Sequence, residues 1–458
     1  MAVRRYEIDM SKGSIFKNMV SFAIPLVITN VLQLLYNAAD SIVVGRWGGP
    51  ECLAAVGSTG AFNALLISLF IGLSTGVSVV IAKCYGAGDM KALERASHTS
   101  IMISVAGGLI SFVLGQSLCR PLLGFVGTPK ELIDLSALYM RIIFIGVPAQ
   151  FVFNFGAAIL RSVGDTKRPL YILSVTGLIN VALNLILVIG FHMDVAGVAI
   201  ATIVAHYLSA AAIMYTLVFS DAPYRINIKK LRLYKKETKE IMSVGLPAGI
   251  QSSVYSIANS AIQSAVNSFG AATMAGRTAA GSIESFVYTS MNAFYVATMT
   301  AVGHNYGAKQ EKRIYKSMGY GFLCVSVAGL VLGVLTYIFA EPLLGIYISK
   351  DTADYAKIIK EGTAYITVCG LPYFLCGIQD VFTGTLRGLG HSKIPMVNSL
   401  LGACVVRMAW VIFILPLNRQ VWFLYLCIPI AWIFTIAMHA TNFMLVRKKT
   451  IEKMYSQQ

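Results

Sequence analysis

The residue with the most to explain is Asp40, which stands in the apolar segment FAIPLVITNVLQLLYNAADSIVVG. Asn30, Gln33, Asn37 and Asp40 fall at i, i+3, i+7 and i+10, and helical geometry puts them on one face of an otherwise apolar rod. An aspartate in hydrocarbon costs about 2.5 to 3.5 kcal/mol on insertion scales, so the stripe must face protein or water. Amides alone would serve as a hydrogen-bonded seam between helices. An aspartate adds an ionisation cost that an amide avoids, so Asp40 points to ion chemistry. Asn180 and Asn184, one turn apart, and Asn154 and Thr202 are neutral oxygen donors in other apolar runs. A carboxylate ringed by such oxygens holds a small hard cation, or takes up a proton when it is stripped of water. Residue types alone leave both open.

Three more charges, Glu284, Asp380 and Arg407, fall inside apolar runs. A buried guanidinium needs a counter-ion, and Glu284 and Asp380 are the candidates for Arg407, as a structural ion pair or as part of a coupling network. Tyr36, Tyr255, Tyr288, Met291 and Tyr295 lie on or near polar stripes that also carry Asn259, Gln263 and Asn292. With Asn30, Gln33 and Asn37 they form the expected lining of a substrate cavity, because rings and thioethers suit an aromatic cation as well as ordinary packing. GLSTG at 72–76 matches a nucleophile pattern but lies inside a helical run, where small residues serve close packing. No H-E-x-x-H and no credible triad occurs, so an embedded enzyme is the weakest reading. The eight cysteines are scattered without a C-x-x-C pair and read as reduced thiols with no metal site.

These residues need elements to hold them, and the composition says which. Of 458 residues 56% are apolar and only 13% charged, with mean hydropathy +0.69. That is too little charge to solvate a globule. The expected fold is all-α and polytopic, with twelve spans at about 15–44, 53–83, 95–118, 132–160, 168–190, 195–219, 240–268, 274–304, 314–340, 355–385, 394–416 and 420–446. Two six-helix lobes, 1–219 and 240–458, flank a basic linker at 220–239 containing KKLRLYKKETKE. The net charge of +16 concentrates in alternate loops: at Arg4, Arg5 and Lys12, in the linker, and at Arg447 to Lys449. Arg46, Arg120, Lys130 and Arg277 are scattered bases of the opposite loops. The positive-inside rule then puts both termini in the cytoplasm, and the charge reports topology rather than a nucleic-acid partner. The basic start lacks a cleavable apolar core, so the first span is expected to be retained.

The halves repeat. YGAGDMK at 85–91 recurs as YGAKQEK at 306–312 and PLLG at 121–124 recurs at 342–345, both at a spacing of 221. LRSVGDTKRP at 160–169 matches LRGLGHSKIP at 386–395 at 226. Collinear matches at nearly one spacing mark a duplication, and an even number of spans per half predicts a pseudo-two-fold axis along the membrane normal. The copy is incomplete: Asp40 maps to Ile262, and Glu284 to Asn63.

IPLVITNVLQLLYNAADSIVVGRWGGPECLAAVG and the repeated motifs resemble the multidrug and toxic compound extrusion (MATE) transporters, in their bacterial DinF-like branch. The resemblance implies two six-helix lobes and export of amphipathic, often cationic compounds driven by inward H⁺ or Na⁺, with no other cofactor. It places an ion site at Asp40, Asn154, Asn180 and Thr202, with Na⁺ at Asp40, Asn180 and Thr202 as one occupant. Where many members carry a second aspartate, this chain has Asn184, which favours H⁺. A monomer in the bacterial inner membrane is expected. A lipid-linked-glycan flippase of the same superfamily shares the plan and would show more cations along its cavity.

Overall fold

The protein is described by a computed structural model covering residues 6–125, 130–352 and 354–456, with no side chain described at 48–51, 53–55, 58, 60–67, 69, 125 or 130. Arg4, Arg5 and the side chains of Asn63 and Lys130 therefore lie outside the described residues. Within it the chain is helical, and no strand occurs among the described residues.

Long apolar runs become helices because lipid offers the backbone no hydrogen-bond partners, so each N–H and C=O must be satisfied inside its own segment. Twelve rods result. They are α1 (Ile15–Val43), α2 (Gly49–Ala87), α3 (Met90–Phe125), α4 (Lys130–Ser162), α5 (Lys167–Gly190), α6 (Asp194–Val218), α7 (Lys235–Asn267), α8 (Ala271–Gly307), α9 (Glu311–Ile338), α10 (Tyr355–Gly388), α11 (Lys393–Leu417) and α12 (Val421–Ser456). Ten are long and apolar enough to span a membrane, and the chain is a multi-pass membrane protein. The other two, α7 and α8, are long enough but richer in Ser, Thr and Asn.

Several ends differ from the sequence expectation. Helix α8 starts at Ala271, so Arg277 lies inside it rather than in a loop, and α10 continues to Gly388, which brings Arg387 into the helix. The repeated motifs are helix stops. Gly164 and Gly390 both adopt positive φ (91° and 97°), and in each copy the next N–H reaches five residues back, Asp165 to Leu160 and His391 to Leu386. A side chain at those φ values would strain the backbone, which is why glycine recurs there.

By contact the chain forms two compact units. One holds residues 6–9 and Ile28–Gly245, the other Met10–Val27 and Leu246 onward. The sequence-based lobes differ from these at the start of α1 and at the start of α7. In the first unit α4 packs on α2, α3 and α6 around Leu73, Val77, Ile81, Phe155, Ile213 and Tyr224. Gly76 of the GLSTG motif abuts the Gly245 backbone, and the Ser74 hydroxyl donates to the carbonyl of Ile71, so that motif is a packing contact. In the second unit α8, α9 and α10 surround Ile283, Val287, Met291, Tyr365 and Tyr373.

Candidate functional site

In the first unit the polar stripe of α1 meets α5. The Tyr36 ring packs against Gly177: a β-carbon there would come within 1.9 Å of the ring, and the hydroxyl donates to the carbonyl of Ser174 at 3.2 Å. One turn further on, Asn184 Nδ2 donates to the half-buried Asp40 carboxylate at 2.5 Å and to Asn180 Oδ1 at 3.3 Å. Asn180 and Asn184 are buried, and Asn184 Oδ1 has no hydrogen-bond partner. The regular helix gives way beside this contact, with π turns at Val44–Gly48 after Asp40 and at Leu185–Gly190 after Asn184. Such turns inside helices gather at functional sites.

The other two expected ion ligands each donate a hydrogen bond within their own helix. Asn154 Nδ2 donates to the carbonyl of Gln150 at 2.9 Å, and the Thr202 hydroxyl to that of Val198 at 2.9 Å. Each is a bond to its own helix four residues back. Of the α1 stripe, Gln33 and Asn37 are exposed and Asn30 is half-buried.

The second unit holds more polar chemistry than its sequence suggested. Arg407 is buried, but it does not pair with Glu284 or Asp380: its Nη1 donates to Asn259 Oδ1 at 3.0 Å, and its Nε has no partner. Glu284 instead accepts from the Tyr365 hydroxyl and lies 3.8 Å from Arg277. A second buried arginine is Arg387, whose guanidinium donates to Tyr295 Oη at 2.5 Å and to Gln251 Oε1 at 2.7 Å. Gln251 in turn donates to Ser399. Beside it the buried His439 sits between Thr383 and Asn398. Asp380 is half-buried on α10, in the electrostatic reach of Arg387, Tyr255 and Tyr288.

Among the expected cavity residues, Met291 and Tyr295 are buried in the unit's core. Tyr288 and Asn259 are exposed, and Asn292 Nδ2 donates to the Tyr288 hydroxyl at 3.4 Å. Tyr255 accepts from Gln379 at 2.5 Å, and Gln263 donates to Asn267. Sequence reading missed Arg387, Gln251 and Tyr365. The signal for Arg387 was its place in LRGLGHSKIP, where Arg161 is its counterpart in the first copy.

Comparison with known proteins gives one consistent result. Residues 25–186 and 247–412 match the MatE family model. The probable multidrug resistance protein YoeA of Bacillus subtilis is 29% identical over 398 residues, covering 85% of each chain. A transporter of the MOP superfamily from Pyrococcus furiosus, described as having a binding pocket of reverse polarity, matches over the full length of both chains with a TM-score of 0.90 at 22% identity. An outward-facing multidrug resistance transporter of the same superfamily matches over 99% of both chains with a TM-score of 0.89 at 22% identity. At that identity the structural likeness carries the fold, a two-lobed bundle.

Proposed function

The chain belongs to the multidrug and toxic compound extrusion (MatE) family, and on that premise we propose that it exports amphipathic, often cationic small molecules by antiport with an inward-moving ion, through alternating access of its two lobes. The observation that carries the ion part is the Asp40–Asn184 contact. A carboxylate that stays charged for structural reasons alone would be a poor choice against an amide at the same place. Among the described residues its direct side-chain partner is neutral, so its charge is free to be balanced by what passes through.

The surroundings favour H⁺ over Na⁺. A tight Na⁺ site gains from several oxygens and from ligand charge, whereas here the side chain that touches Asp40 is a neutral amide presenting its N–H. An asparagine serves both protonation states of its neighbour. Its NH₂ donates to the carboxylate, and with the amide turned its oxygen accepts from the carboxylic acid. The proton resides on Asp40 while the substrate is absent and leaves when a cation arrives, so the two compete for one negative charge. Within the first unit the exposed Gln33 and Asn37, and within the second the exposed Tyr288, offer polar and aromatic contacts of the kind an amphipathic cation would take. Both termini lie in the cytoplasm, on the strength of the base distribution.

Proteoliposomes loaded with ethidium and given an imposed proton gradient test this reading. Asp40→Asn is expected to remove gradient-driven efflux while the protein remains folded, because the amide keeps the packing and cannot cycle a charge. Wild-type efflux in that variant would refute it, as would Na⁺-driven efflux in the wild type with proton gradient and voltage collapsed.

A further inference from the structure

The second unit contains a buried positive charge that nothing in the fold balances. Arg407 on α11 is 5% exposed, and its Nη1 donates to Asn259 Oδ1 on α7 at 3.0 Å. Among the described residues Nη1 is the one guanidinium nitrogen with a hydrogen-bond partner, and Nε is sealed from solvent without one. That partner is a neutral amide. The groups in its electrostatic reach, Tyr255, Cys369, Cys376, Cys404 and Cys427, are a phenol and four thiols, uncharged at neutral pH. Glu284 is engaged with Tyr365 and Arg277, and no described carboxylate forms an ion pair with Arg407. A buried guanidinium without a counter-ion is costly, and an apolar side chain of similar length would pack as well without that cost. The charge therefore has a use other than packing.

The backbone points the same way. Arg407–Ala409 is a three-residue α segment between two π turns, Leu400–Val406 and Trp410–Ile414. Such turns inside helices gather at functional sites, and irregular backbone at membrane depth persists where it lines a cavity inside protein. Cys404, in the first of these turns, donates its thiol to the carbonyl of Val254 at 3.6 Å and ties this stretch of α11 to α7. The repeat sharpens the comparison with the first unit. At the spacing of 226 that relates LRSVGDTKRP to LRGLGHSKIP, α11 is the copy of α5, and Arg407 stands at the place of Val181 between Asn180 and Asn184. At 222, where Asp40 maps to Ile262, Asn259 stands at the place of Asn37. The first unit thus sets an acid on its first helix against an amide on its fifth, and the second sets an amide on its first helix against a base on its fifth. The plan is shared and the charge is inverted.

We propose that Arg407 binds an anionic oxygen group of the transported molecule, a carboxylate above all, so that zwitterionic amphipaths are substrates of this protein. The Nε and Nη2 hydrogens lie side by side on one edge of a guanidinium, the edge that takes a carboxylate in two parallel hydrogen bonds. Asn259 holds the remaining nitrogen and so fixes the plane of the fork. Because Asn259 is exposed, the guanidinium it holds lies one side chain below the surface of the unit. Tyr255 on α7 and Tyr288 on α8, within electrostatic reach of each other, supply rings against which an amphipathic body packs. The bound carboxylate is the counter-ion that the fold withholds.

The inference rests on the export reading above and narrows its substrate class, and two dyes separate the two claims. Rhodamine 6G is an amphipathic cation, and rhodamine 19 is the same molecule with the ethyl ester replaced by a free carboxylate. Fluorescence anisotropy on the full-length protein in detergent, at fixed pH and without phosphate, gives a dissociation constant for each. Wild type is expected to bind both. Arg407→Met is expected to weaken rhodamine 19 relative to rhodamine 6G by roughly ten- to a hundred-fold, the worth of a charge-assisted hydrogen bond. Should Arg407→Met fail to fold, Arg407→Lys keeps the charge and loses the fork, and the same preference is expected to fall by a smaller factor. An unchanged ratio of the two constants in a folded variant overturns the inference and leaves cation export standing; it is also the result if the arginine holds a lipid phosphate instead of the substrate. A wild type that binds rhodamine 6G alone has the same consequence. A wild type that binds neither dye overturns the inference together with the export reading beneath it.

Discussion

Asn184→Asp tests the reasoning about the coupling ion most sharply, because it supplies the second carboxylate whose absence argues for H⁺. The amide nitrogen now lies 2.5 Å from Asp40 Oδ1, so the new carboxylate would put a second negative charge roughly 4 Å from the first. At an effective dielectric of about 20 two like charges at that distance repel by ~4 kcal/mol. Asp40 is half-buried rather than sealed, so solvent screening leaves about 2 to 4 kcal/mol. Any cation that sits between the two acids relieves that repulsion, and 1.4 kcal/mol is a factor of ten in binding, which gives a gain of roughly thirty- to a thousand-fold in affinity. Efflux of ethidium from proteoliposomes under a Na⁺ gradient, with proton gradient and voltage collapsed by ionophores, should therefore appear in the variant and be absent in the wild type. Unchanged ion dependence in a folded variant would show that position 184 does not face the coupling ion.

Two buried arginines should behave in opposite ways. Arg387→Met strips donors from Tyr295 and Gln251 inside the core and is expected to cost about 2 to 4 kcal/mol, read as a clear fall in melting temperature. Arg407→Met removes a buried charge whose direct partner among the described residues is the exposed Asn259, so its melting temperature should be unchanged or higher. A third expectation concerns pH. Asp165, in the loop between α4 and α5 and 0% exposed, has its carboxyl pushed up to about 6 by burial, against the N–H groups of Lys167 and Arg168 that hold it down. The folded protein then binds this proton more tightly than the unfolded chain does. Its contribution is therefore fully present below about pH 4 and is lost as pH rises through about 6, a change of ~1–3 kcal/mol. Asp165→Asn should flatten that slope in melting temperature, and an unaltered slope would assign it to other groups.

The rods and the α1 stripe were legible because both are periodic patterns: spans come from apolar length, and the Asp40 face from spacing along one helix. Partners were less so. Asn154 and Thr202 carry the right atoms, but a polar side chain in a helix can bond to the carbonyl four residues back at no cost to the pattern, and both do. Asn184 looked like a weakening of the site, yet it is the group that touches Asp40. Arg387 was invisible as a core residue because a base at the end of an apolar run usually reaches water. What buries it are Tyr295 and Gln251, 92 and 136 residues earlier in the chain. Arg277 was assigned to a loop because the first turns of α8, Ala271 to Ala280, hold Thr, Gly and Arg instead of an unbroken apolar run.

The repeat explains why the two lobes share stops but not chemistry. Both copies must leave the membrane at matching points, and that requirement acts on the backbone: Gly164 and Gly390 hold the same left-handed turn, and Gly88 at φ 70° has its counterpart in Lys309 at φ 56°. A lysine accepts that conformation at some cost in strain, so the turn is kept even where the residue is not a glycine. Titratable groups are under no such constraint. A carboxylate inside a lobe needs one donor and one irregular turn beside it, and either can arise on whichever helix has room. In the first unit the acid is on the first helix of the repeat, and in the second it is on the second helix, with Tyr365 in the place that Asn184 takes beside Asp40. Mapping Asp40 through the repeat therefore lands on Ile262, whereas looking for a carboxylate hydrogen-bonded by the residue before a π turn leads to Glu284.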